Sequence, residues 1–186
     1  MHHGLFWGGL GRITGAYYRK LKQSIGANIA IYSAHLPLDL HREVGNNILL
    51  ASALKFSAAE PLSHNEKRLG VSVATELDLG ELVNRLREVL GRDPWVCASG
   101  PATARHVAII TGAAGTLLEK IASLGFDTFV TGEGPHHTFA LAEELKMNLI
   151  YGGHYATETF GVRALAAKVA TKFHLPWCFV DHPSGL

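Results

Sequence analysis

Hydrophobic and polar positions along the chain fall into two regimes. From about residue 100 onward, short apolar runs alternate with segments of helical period: HVAII (106–110) and a helix over 116–124, TFV (128–130) and a helix over 138–146, LIY (149–151) and a helix over 157–173, then WCFV (177–180). Strands alternating with helices predict parallel pairing through crossover helices. The first half is less regular. TGAYYRKLKQS (14–24) opens on a capping threonine and keeps its apolar residues to one side, which predicts a short helix. ANIAIY (27–32) reads as a strand that delivers SAHLPLD (33–39) to a loop, and Pro37 argues against helix there. Residues 42–54 are helical in pattern, although Gly45, Asn46 and Asn47 weaken the first turns. FSAAEPLSHNEKR (56–68) is polar and irregular and reads as a loop or linker. VSVAT (71–75) alternates like a strand, and LGELVNRLREVL (79–90) is an amphipathic helix stopped by Gly91. The expected class is α/β.

Composition narrows the function classes. The 186 residues, 47% hydrophobic, can bury a core of one domain or two small interlocked ones. The 17 basic and 16 acidic residues nearly cancel, so nothing in the net charge favours nucleic acid or an anionic membrane. No run approaches the length of a membrane span, and the first residues carry no secretory pattern, so cytoplasm is the expected location. Cys97 and Cys178 both sit in apolar runs and are expected to be buried thiols. The 11 histidines and 20 glycines raise the expectation of a metal or acid–base site, provided the histidines cluster.

Three segments have that character. In YGGHYATE (151–158) an apolar strand runs through two glycines into a helix, with His154 and Glu158 four residues apart; a nitrogen and a carboxylate on one helical face can reach one cation. A surface pair on a first helical turn is the plain alternative. In HLPLD (35–39) a second histidine and carboxylate follow an apolar run, although Asp39 alone could serve as a turn residue. His2 and His3 are adjacent, and on composition alone could be an added tag. Pooled, these ligands suit first-row divalent ions such as zinc, manganese, iron, cobalt or nickel. Three imidazoles and two carboxylates drawn from these segments are too many for one open catalytic ion but fit two ions, an arrangement that activates water for hydrolysis.

The segments HHGLFWGG, YSAHLPLD, DTFVTGEGPHH and GGHYATET, in that order over nearly the whole chain, resemble the NIF-three-like family, also known as GTP cyclohydrolase 1 type 2 homologues. The resemblance implies that fold, with mixed or mostly parallel sheets flanked by helices and two interlocked subdomains. It implies a dinuclear centre with ligands at His2, His3, Asp39, His154 and Glu158, Glu158 bridging, and a toroidal homohexamer built as a trimer of dimers. His35 matches the motif outside the ligand set, as a proton carrier. Relatives in this family carry several dozen residues before the HH motif, so the chain is expected to be a single domain over 1–186, truncated at its N-terminus by a misassigned start, with an insert or subdomain near 56–105.

Glu133 and His136, in TGEGPHH (131–137), could line the same cavity, Glu133 as a second proton carrier. TGAAG (111–115) resembles a phosphate-cradling turn but lacks a full glycine-rich fingerprint, and tight turning is the simpler use of its glycines. His41, His64, His106, His174 and His182 have no partner spacing. No GxSxG elbow exists, which removes serine-nucleophile chemistry. The leading expectation is a metal-dependent hydrolase acting on a nucleotide-like or other small phosphorylated or cyclic amide substrate. The rival is a non-enzymatic metal-binding oligomer: a carrier, regulator or interaction scaffold.

Overall fold

The structure, a computed structural model, describes residues 1–9 and 11–185. Helix α1 (Gly15–Gly26) is followed by a short helix α2 (Leu36–Asp39) and by α3 (Asn46–Ala53). A hairpin of β1 (Glu60–His64) and β2 (Lys67–Asp78) leads to α4 (Leu79–Leu90), β3 (Trp95–Ala98) and β4 (Thr103–Ile110). A single 3-10 turn then opens α5 (Leu118–Ser123), and β5 (Thr128–Thr131), α6 (Thr138–Leu145), β6 (Asn148–Tyr151), α7 (His154–Thr157) and α8 (Thr159–Phe173) complete the chain. All six strands form one sheet in the order β1-β2-β4-β5-β6-β3. β4, β5 and β6 are mutually parallel, as the strand–helix alternation predicts, while β1, β2 and β3 add antiparallel edges.

Alternation along the strands feeds two cores. Val107 and Ile109 of β4, Val130 of β5 and Ile150 of β6 face α3 and α4 through Leu50, Leu54, Leu82 and Leu86. Their neighbours Ala108, Phe129 and Leu149 face α5 and α6 through Leu118, Ile121 and Ala142. A sheet covered on both faces must be apolar at consecutive positions, which is why these strands read as unbroken hydrophobic runs. α4 is built as its pattern predicts: the Asp78 side chain accepts from Glu81 N–H at the start, and Gly91 ends it in the left-handed region at φ 66°.

Several local expectations are corrected. Residues 27–32 and 177–180 form no strand; both are exposed and lack a ladder to join. Cys178, in the second of these, is exposed rather than buried. Residues 36–39 do form a helical turn, because Pro37 falls in its first turn, where the missing N–H has no partner to lose. The segment 56–68 contributes β1, whose Pro61 is tolerated on an edge strand. Among the described residues no helix is long and apolar enough to cross a membrane.

Candidate metal centre

The parallel strands β4, β5 and β6 end together, and the chain turns at each end into residues of the site: Thr111 and Gly112 after β4, Gly132 and Glu133 after β5, Gly152 to His154 after β6. This is the crevice where open α/β sheets place their ligands. Gly112 has φ +73°, and a Cβ there would come within 2.1 Å of Glu158 Oε1. Gly153, at φ +96°, makes the sharp entry from β6 into α7. Thr157, fully buried, accepts from Gly112 N–H at 3.1 Å and donates to the Gly153 carbonyl at 2.9 Å, so one hydroxyl fixes two of these turns. Glu158 does not continue α7; at φ −108° it is the joint between α7 and α8.

Asp39 is held from the other side. Its Oδ1 accepts from Asn46 Nδ2 at 2.7 Å and its carbonyl from Asn47 Nδ2 at 3.0 Å. Asn46 Oδ1 in turn accepts from Gly161 N–H at 2.7 Å on α8, and Asn47 Oδ1 from Thr111 N–H at 2.8 Å at the end of β4. These two buried amides lock α2, α3, α8 and β4 together around the carboxylate. In the sequence these two residues read only as weak helix formers; their adjacency inside an apolar helical run is the signal that marks them.

His2 and His3 arrive on the N-terminal segment. Met1 lies beside the extended residues 32–34, its amine donating to the Tyr32 carbonyl at 2.9 Å and its carbonyl accepting from Ala34 N–H at 3.2 Å. His2 Nδ1 lies 2.9 Å from the Ala34 carbonyl, so that nitrogen carries a proton and Nε2 is the one free to offer a lone pair once the ring is neutral. His154 is oriented likewise, with Nδ1 2.7 Å from Glu133 Oε1.

Glu158 is the hub. Its Oε1 lies 3.6 Å from His2 Nε2, which is also 3.4 Å from Asp39 Oδ1. Its Oε2 lies 3.2 Å from His3 Nε2 and 2.9 Å from His154 Nε2. The Nε2 atoms of His2, His3 and His154 are buried with no hydrogen-bond partner. Three buried ring nitrogens left unsatisfied around a carboxylate would be a costly way to build a mere polar core. The donor set, nitrogen and oxygen only, can hold divalent first-row ions, with one carboxylate oxygen toward each half. His35 stands closer in than expected: one of its ring nitrogens belongs with donor atoms of His2, His3 and Glu158 in a group lying within 4.8 Å of one another.

The electrostatics follow from this crowding. Burial alone would lower His2, but the carboxylates of Asp39 and Glu158 facing its ring outweigh it and hold the imidazole up at about 9. The Glu158 carboxylate beside its ring, against burial and aided by Glu133, does the same for His154, also to about 9. Burial would raise Glu158, yet His154 and His2 take it down to about 2. His3 and His35 are pushed down, first by burial and then by neighbouring imidazoles.

Two cavities reach the cluster. One, of about 460 Å³, is bounded by Glu133, Tyr155 and the C-terminal residues Phe179 and His182. The other, of about 430 Å³, opens on the side of Trp7, His35 and Arg68. His182, set aside on spacing, therefore faces the site, carried there by a C-terminal segment anchored through Tyr155 Oη to Asp181 at 2.6 Å. Glu133 is in place beside His154; His136 is exposed and lines neither cavity. Four amides of the 111–115 turn are spent within the protein: Thr111 N–H on Asn47 Oδ1, Gly112 N–H on Thr157 Oγ1, Ala114 N–H on Thr131 Oγ1 and Gly115 N–H on the Glu133 carbonyl.

The profile of the Duf34/NIF3 (NGG1p interacting factor 3) family matches residues 1–184. A Deinococcus radiodurans protein named GTP cyclohydrolase 1 type 2 homolog is 38% identical over 189 residues, covering 100% of this chain and 72% of the relative. A Pyrococcus horikoshii protein of the same name is 35% identical over 193 residues, covering 100% of this chain and 76% of its own. The crystal structure of a Thermus thermophilus protein superposes with a TM-score of 0.90 at 41% identity, covering 100% of this chain and 74% of the other.

Proposed function

The chain belongs to the Duf34/NIF3 family, and on that premise we propose that it is a metal-dependent hydrolase whose two divalent cations are held by His2, His3, Asp39, His154 and Glu158. The observation that carries this reading is the convergence of three buried, unpartnered imidazole nitrogens on the two oxygens of one glutamate. Bound there, such cations supply Lewis acidity and bring the pKa of coordinated water toward neutrality. The residues do the rest. The Ala34 carbonyl and the Glu133 carboxylate hold the Nδ1 sides of His2 and His154, so that both Nε2 atoms point inward and offer lone pairs to a cation when the rings give up that proton. His35, kept largely neutral by burial, takes up a proton at a ring nitrogen during hydrolysis, and Glu133 relays protons at the edge of the cavity. Cavities of about 460 and 430 Å³ on either side favour an enzyme over a closed storage site, because small-molecule pockets have this size. The substrate is nucleotide-like, or another phosphorylated or cyclic amide compound, in keeping with the name of the relatives.

Assembly into a trimer of dimers is part of the same proposal. It is supported by the large apolar side chains left in solvent on residues 25–32 and 173–180, among them Ile25 at 77%, Tyr32 at 76% and Val180 at 79% exposure. Metal analysis by mass spectrometry on the wild type and Glu158→Ala, with a hydrolase screen on the same preparations and light scattering for mass, tests the reading. Near two metals per chain are expected in the wild type, with loss of at least one in the variant. Unchanged metal content in Glu158→Ala would remove the bridge.

A further inference from the structure

The two cavities differ in charge. The one bounded by the C-terminal segment has no Lys or Arg in its wall. The one on the opposite side has one Arg and no Lys in its described wall, Arg68, and two carboxylates, Asp39 and Glu158, both turned toward imidazoles. Arg68 makes no ion pair and no side-chain hydrogen bond among the described residues. An unpaired guanidinium beside a nucleophile-generating centre is a ready partner for phosphate or carboxylate, which it can grip through two parallel N–H donors.

Its placement is deliberate in the backbone. β1 and β2 slip register between Leu62 and Ser63: Leu62 pairs with Gly70, whereas Ser63 pairs with Arg68. Leu69 is the extra residue of a β-bulge. In a regular strand, Arg68 and Leu69 would point to opposite faces; here both line the same cavity. Across from them stands an aromatic wall. Trp7 stacks on His3 at 5.0 Å and 26° and meets His35 edge-on at 4.0 Å, yet 61% of it stays exposed. An indole pinned by two imidazoles and still open offers a preformed stacking face.

We propose that this 430 Å³ cavity is the recognition pocket for a small anion carrying a planar ring, with Arg68 pairing the anionic group and Trp7 with His35 receiving the ring. The inference deepens the hydrolase reading and rests on it, since it assigns the end of the substrate that is held rather than cleaved. Arg42 provides a control, because it lines only an adjoining cavity of about 320 Å³.

Isothermal titration of the protein as isolated, with GMP, guanosine and inorganic phosphate, tests it on the wild type, Arg68→Met, Trp7→Leu and Arg42→Met, with metal content measured on each preparation. GMP is expected to bind at least about tenfold tighter than guanosine in the wild type, one charge-assisted contact. Arg68→Met should abolish that preference and leave guanosine binding and metal content unchanged. Trp7→Leu should weaken both ring-bearing ligands, and Arg42→Met neither. An intact GMP preference in Arg68→Met overturns the proposal, as does phosphate binding as tight as GMP or no GMP binding up to about 10 mM. A protein that takes up no metal but selects GMP through Arg68 overturns the metal-centre reading and keeps the pocket.

Discussion

Two regions meet at the centre on unequal terms. The floor, built by the ends of β4, β5 and β6 with α3 and α8, buries Asn46, Asn47, Thr111 and Thr157 in a closed set of hydrogen bonds and contributes Asp39, His154 and Glu158. The arm, residues 1–35, contributes His2, His3 and His35, but α1 within it has no buried residue and residues 29–33 lie exposed. Half of these six side chains therefore ride on a scaffold fixed by packing. The other half are held near it by a few backbone bonds and by the centre itself. Cations bound there would act as a staple, adding to the stability of the arm what they gain from its imidazoles.

The largest consequence is a difference in dynamics. Removing metal by chelation should speed amide exchange across 1–35 by about a hundredfold and leave β4 to β6 as they were, readable by hydrogen exchange with mass spectrometry. Equal responses in arm and floor would erase the distinction.

A smaller effect separates the regions by mutation. Asn47→Ala strands the buried Thr111 N–H and one tie to Asp39, and should lower stability in a urea titration by about 1–3 kcal/mol. Tyr17→Phe, which removes the half-exposed arm bond to the Leu5 carbonyl, should change it by less than about 0.5 kcal/mol. Comparable losses would mean that the arm is packed as firmly as the floor.

The smallest effect is in pH. His2 and His154 are raised from 6.5 to about 9, so their stabilisation of the metal-free protein is complete below 6.5 and lost as pH rises through 9. Glu158 is depressed from 4.5 to about 2, so its share is complete above 4.5 and lost as pH falls through 2. Because His3 and His35 are pushed down and oppose folding as pH falls below 6.5, the metal-free Tm should be highest near pH 6.5 and fall by about 2–4 °C toward pH 9. With metal added the slope should reverse over the same range, because ligation requires deprotonated imidazoles. Parallel slopes, checked by scanning calorimetry, would separate the histidines from the cations.

The same contrast explains what could be read in the sequence. The parallel core was legible because each of its elements carries its own period: the leucine pattern of α4, the apolar runs of β4, β5 and β6, the strand–glycine–helix turn before His154. Strand character at 27–32 and 177–180 is equally strong in composition, yet a strand exists only where another backbone pairs with it, and that is a property of the fold. β1 fails in the opposite direction: EPLSH looks like loop and becomes a strand because β2 lies alongside. At the centre, the His154–Glu158 spacing was visible, but not that Glu158 is a joint between helices, nor that His35 would stand among the donors, nor that Asn46 and Asn47 hold Asp39. Those depend on contacts between residues far apart in the chain.

Among the described glycines, Gly112 stands nearest to a side-chain atom of the site. Backbone sign and free space both demand a lone hydrogen there, since anything larger would occupy the volume of a Glu158 oxygen. A variant could keep every histidine and carboxylate of the cluster and still lose it through one added methyl group at this turn. Whether a distant homologue retains a working centre can therefore be judged from a position that donates no electron pair at all.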